Sequence, residues 1–165
     1  MKLPFIALLI CANVVAHTQK IRSEIDKFTN EKRCETGWIQ IRPTMSAPLA
    51  AKLRSVGTSI FITLAGSNVG SNVIGSDATT VFLLDDQSTV TITSTGIQDY
   101  DIVEHGKAFK HQYRVSKEDL VKLSTHSIIS IRKNDSETYH DFDVADKNKD
   151  KLKKTAIAFL EEMDK

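Results

Sequence analysis

The chain has 165 residues, with 22 Lys and Arg against 21 Asp and Glu and a formal charge of +1. This length suits one domain with a single core. Near-neutrality argues against a nucleic-acid partner, which needs clustered cations, and against a polybasic membrane-surface protein.

Residues 1–16 read as a signal peptide. Lys2 supplies a minimal basic region, Phe5 to Ile10 with Val14 and Val15 the apolar run, and Val14-Val15-Ala16 the small residues of a cleavage site after Ala16. The run stops short of the ~20 residues a membrane span needs. Ile10 stands where a lipoprotein signal ahead of Cys11 requires a small residue. Cleavage removes one lysine and no acid, leaving 21 basic against 21 acidic residues. It also removes Cys11, so Cys34 is alone and no intramolecular disulfide is expected. A buried, inert thiol is the expected role for Cys34, with a nucleophile or a dimer link as alternatives.

Residues 17–32 form a polar arm in which Ile21, Ile25 and Phe28 are spaced for a short amphipathic helix or a loosely docked segment. Residues 33–165 are expected to form the domain. A first strand is read over Cys34 to Arg42 and is ended by Pro43, and Pro43 to Ala51 is read as a loop. A longer β segment follows, with Ile60, Ile62 and Leu64 on one face and Gly57 marking a bulge. The next stretch, residues 66–77, repeats Gly-Ser-Asn-Val and lacks bulky side chains. It reads as a connection between strands with no phosphate-cradling pattern, and as a place where Ser67, Asn68, Ser71 and Asn72 could meet a ligand or partner.

Val81 to Leu84 and Val90 to Thr93 read as a hairpin about Asp85-Asp86-Gln87-Ser88. From Ser94 to Lys107 the alternation dissolves, which predicts a second partner-contacting loop carrying Asp99 and Asp101. Phe109 to Val115 resumes a strand, with Lys110, Gln112 and Arg114 outward. Ser116 caps a two-turn helix from Lys117, with Asp119 in the capping-box position. Ser127 to Arg132 and Thr138 to Val144 read as strands joined by the turn at Asn134-Asp135-Ser136, which is also a formal glycosylation sequon. A last helix is expected from Lys147 to Met163, capped by Asp146, with Leu152, Ala156, Phe159, Leu160 and Met163 as its apolar stripe. Lys147 and Lys149 at its start and Glu161, Glu162 and Asp164 at its end oppose the macrodipole, by ~0.3 kcal/mol or more each. Packing on a sheet is expected to hold it.

The predicted fold is thus α+β: a twisted antiparallel sheet or half-open barrel of six to seven strands, a short helix before the last two strands, and a long C-terminal helix packed on the sheet. His111 and His140 fall on the apolar faces of two strands. Were those strands neighbours, the pair could bind a metal with His126 or His105, although no ligand spacing is recognisable. Asp99-x-Asp101-x-x-Glu104 lacks the glycine and the third position of a calcium loop, and no Gly-x-Ser-x-Gly elbow is present. No cofactor is indicated.

Glu24-Ile25-Asp26-Lys27-Phe28-Thr29, Tyr113-Arg114-Val115-Ser116-Lys117-Glu118-Asp119-Leu120, Ile131-Arg132 with Tyr139-His140-Asp141-Phe142-Asp143, and Lys147 to Lys154 resemble small exported proteins of unknown function common in Bacteroidetes. The likeness is most specific in the C-terminal third. It implies a periplasmic or secreted setting and carries no catalytic residues. The expected function is a non-enzymatic binding or interaction module. A hydrolase or metal-dependent enzyme built on the late-strand His and Asp residues is one alternative, and an inhibitor or chaperone acting by strand addition is another.

Overall fold

Apolar and polar residues alternate over residues 49–67, and the interruption at Gly57 is a reversal of the chain rather than a bulge. The computed structural model describes residues 21–44, 47–67, 74–103, 106–135 and 138–165, and the signal peptide read at 1–16 lies outside them. In order, the elements are β1 (Arg22–Ile25), β2 (Lys32–Glu35), β3 (Ile39–Arg42), β4 (Leu49–Val56), β5 (Ser59–Ser67), β6 (Thr79–Leu84), β7 (Thr89–Val103), β8 (Gly106–Val115), α1 (Lys117–Thr125), β9 (Ile128–Asn134), β10 (Tyr139–Asp143), a 3-10 turn (Asp146–Asn148) and α2 (Lys149–Met163). All ten strands belong to one antiparallel sheet in the order β1-β2-β4-β5-β8-β7-β6-β9-β10, and β3 also pairs with β4.

The fold is α+β as expected, but the described residues form ten strands rather than six or seven, and each excess has a local cause. Residues 22–25 pair with β2 as an edge strand, in place of a helix. The strand read over 34–42 is two strands, β2 and β3, both pairing with β4. Between them Thr36 turns its hydroxyl into the ladder: Leu53 N–H donates to Thr36 Oγ1 at 3.0 Å and Thr36 N–H donates to Leu53 O at 3.0 Å. Gly57 adopts φ +55 at the first position of the two-residue loop between β4 and β5, where Val56 pairs with Ser59.

The loop expected over 94–107 is a second correction. Residues 94–103 continue β7, and β8 begins at Gly106. The pairing steps from Ser94 opposite Tyr113 to Gln98 opposite His111, so three β7 residues stand against one of β8. This wide bulge, with Gly96 at φ +76, breaks the alternation and hides the strand from a periodicity reading.

The sheet does not close by hydrogen bonding. Two of its margins approach where the Arg42 guanidinium of β3 lies 5.6 Å from the centre of the Phe142 ring of β10. The helix α2 contacts β2, β3 and β4 near one end of the sheet and β9 near the other, and α1 packs against α2 and β7. Leu152, Thr155, Ala156 and Phe159 are its buried stripe, while Leu160 and Met163 pack at the margin. The expected Asp146 cap is replaced by Asn148, which makes no side-chain cap bond; Asp146 instead pairs with Lys149 at 2.6 Å. No basic residue lies in the last turn of α2. The missing cations come from elsewhere in the chain: Lys32 Nζ donates to Glu162 O at 2.5 Å, and Lys117 pairs with Asp164 at 2.9 Å.

Helix α1 starts at Lys117 as read. Ser116 Oγ accepts from Asp119 N–H at 3.0 Å and donates to the Asp119 carboxylate at 2.7 Å. The inner face of the sheet carries Leu53, Ile62, Leu64, Phe82, Ile92, Phe109, Tyr113 and Ile131, all buried. Cys34 is buried with them, its Sγ 3.7 Å from Ser23 Oγ.

Candidate functional site

The outer face of the central strands is polar because the inner residues of each strand are apolar. With Leu53, Ile62 and Tyr113 turned inward, Lys52 and Arg54 on β4, Thr63 on β5, and Lys110 and Gln112 on β8 point outward. Register aligns them: Lys52 stands opposite Thr63 and Thr63 opposite Gln112, while Arg54 stands opposite Phe61 and Phe61 opposite Arg114. These residues, with Glu35, Ile97 and Gln98, line a cleft of about 360 Å³. The β7 bulge raises one wall, leaving Ile97 63% exposed.

The charges in the cleft do not cancel. Glu35 pairs with Lys52 at 2.5 Å, and the same Lys52 ammonium lies 5.8 Å from the Trp38 ring centre. Arg54 and Lys110 make no ion pair among the described residues. Thr63 and Gln112 stand between them as neutral hydrogen-bonding groups. Such a surface can hold an anion.

The residues singled out in sequence are dispersed. Ser67 ends β5, its N–H donating to Pro48 O at 3.3 Å, whereas Asn68, Ser71 and Asn72 lie outside the described residues. Asp99 and Asp101 are strand residues of β7, opposite Lys110 and Ala108 in register, and are not on a loop. His111 and His140 are not on neighbouring strands, because β7, β6 and β9 separate β8 from β10. His111 is fully buried against Phe109, ring centres 4.7 Å apart. His140 Nε2 lies 3.4 Å from the Asp135 carboxylate. His105 lies outside the described residues.

Two further polar clusters went unread in the sequence. On the inner face Lys133 is 1% exposed, with its ammonium 5.0 Å from the Phe109 ring centre; burial pushes its pKa down, and the Asp135 carboxylate opposes this. Tyr113 and Thr80 are buried nearby, and burial raises the Tyr113 hydroxyl to about 12. At the surface, Asp85, Asp86 and His126 form the one grouping of three metal-ligand types among the described residues. The two ring nitrogens of His126 face different carboxylates, Nδ1 at 3.1 Å from Asp85 and Nε2 at 3.4 Å from Asp86. That arrangement ties the end of α1 to the β6–β7 turn. One ligand atom from each of the three lies within 4.8 Å of the others. Burial raises the Asp85 pKa, but hydrogen bonds from Ser127 and His126 outweigh it; for Asp86 the Ser88 hydroxyl and N–H lower it.

Fold and cleft together define an open antiparallel sheet, braced by a C-terminal helix, that presents a cationic cleft on its outer face. No family model matches this chain, and no curated protein or solved structure matches it. Among the described residues no helix is long and apolar enough to cross a membrane.

Proposed function

We propose that this chain is an exported, non-enzymatic binding module whose ligand occupies the outer-face cleft. The observation that carries the reading is the cleft itself: long polar side chains from β2, β4, β5, β7 and β8 converge on one open site of about 360 Å³. A paired sheet fixes their spacing, which lowers the ordering cost of binding. The exported, periplasmic or secreted setting rests on the leader-like residues 1–16 and on the resemblance to small exported Bacteroidetes proteins.

A fragment screen read by amide NMR tests this. Hits should shift the amides of Thr63, Ile97 and Gln112. Hits gathered elsewhere, or turnover of an ester panel, would replace the reading. A second reading, strand addition, draws on one observation: all four residues of the edge strand β1 are exposed. A partner using that edge would protect the β1 amides from exchange and leave the cleft unperturbed.

A further inference from the structure

Resting on that binding reading, we infer that the cleft takes a small elongated dianion, with one anionic group held at Arg54 and the other at Lys110. Glu35 is committed to Lys52, so two cations remain without an ion-pair partner among the described residues. They stand at opposite corners of the cleft. Arg54 aligns through Phe61 with Arg114, two strands away, and Lys110 lies four residues before Arg114 on β8. At about 3.3 Å per residue and about 4.8 Å between strands, their Cα atoms are roughly 16 Å apart. Both side chains line the cleft, and a short chain with an acid at each end can reach from one to the other. The guanidinium fork of Arg54 suits a carboxylate or a phosphate bidentately, whereas Lys110 acts as a point charge. Thr63 and Gln112, between the two, are placed to bond hydroxyl or amide groups in the middle of the ligand.

The test uses the full chain and the α,ω-dicarboxylates succinate, adipate and suberate, with hexanoate as the monoanion. Amide shifts of Thr63 and Gln112 are followed together with the fluorescence of the single tryptophan, Trp38, beside Lys52. One chain length should bind best, more tightly than hexanoate, and weaken as salt is added. R54Q and K110Q should each weaken it about tenfold or more, while K27Q, on the β1–β2 turn, should not. Equal binding of hexanoate and every dicarboxylate, or R54Q binding like the unmodified chain, overturns the inference. If neutral fragments perturb the cleft and dianions do not, the anion assignment fails and the binding reading stands. If nothing perturbs the cleft, both fail.

Discussion

Arg42 on β3 and Phe142 on β10 meet across the gap that hydrogen bonding leaves open, guanidinium to ring centre 5.6 Å. β10 ends the sheet order and β3 lies off it as a side strand on β4, so this contact, with α2 beside it, joins two margins. Phe142 is nearly buried. Truncation by F142A should cost about 3 kcal/mol through lost burial and a residual cavity. R42A should cost under about 1 kcal/mol, as expected for a partly solvated cation–π pair. Urea midpoints of the two variants check the ratio, and an R42A loss equal to that of F142A would contradict it.

Burial raises Tyr113 to about 12, with the Thr80 hydroxyl opposing. The fold keeps a proton that the unfolded chain releases near pH 10, so this contribution is complete below pH 10 and disappears as pH rises toward 12. A shift of about two units corresponds to about 3 kcal/mol. Lys133 runs the other way: its pKa is lowered, so stability gains as pH climbs toward 10.5. Comparing the chain with Y113F isolates the tyrosine. Y113F should change stability at pH 7 by less than about 1 kcal/mol, since among the described residues neither the Tyr113 nor the Thr80 hydroxyl has a hydrogen-bond partner within bonding distance and angle. It should also lack the alkaline loss. Identical loss in both proteins between pH 10 and 12 would exclude this assignment.

Gly66 is needed for close approach. A Cβ there would lie 2.5 Å from Pro48 O and 3.1 Å from the Phe109 ring. G66A should therefore destabilise by about 1–3 kcal/mol, because the carbonyl belongs to backbone that cannot swing aside. A midpoint unchanged from the parent chain would show that the strand margin yields freely.

The terminal helix depends on its surroundings. A peptide of residues 145–165 should show little helical circular dichroism in water, because its end charges oppose the dipole and Asn148 makes no side-chain cap bond. In the full chain K32M should cost about 1 kcal/mol, from the lost charge-assisted bond to Glu162 O. Strong helicity in the isolated peptide would remove the reason for expecting a role for Lys32.

Local chemistry was legible where its cause is local. Ser116 and Asp119 announce the start of α1, two-residue alternation announces β5, the start of β7 and β8, and the stripe from Leu152 to Phe159 announces the buried face of α2, whereas the start of β4 lies in the stretch 43–51 read as a loop. The signals failed where a strand is interrupted. Thr36 substitutes a hydroxyl for a ladder group, and Gly96 permits a bulge that resets the alternation, so β2 with β3 read as one strand and the end of β7 as a loop.

By itself the sequence determined the α+β class, the helix boundaries within a few residues, and the side of each regular strand that faces the core, because these follow from side-chain periodicity and capping. Tertiary structure alone decided which strands are neighbours. Long-range register places Arg54 and Lys110 on one cleft, keeps His111 away from His140, and brings Lys32 to the end of α2. Those pairings join residues far apart along the chain, and no short-range pattern encodes them.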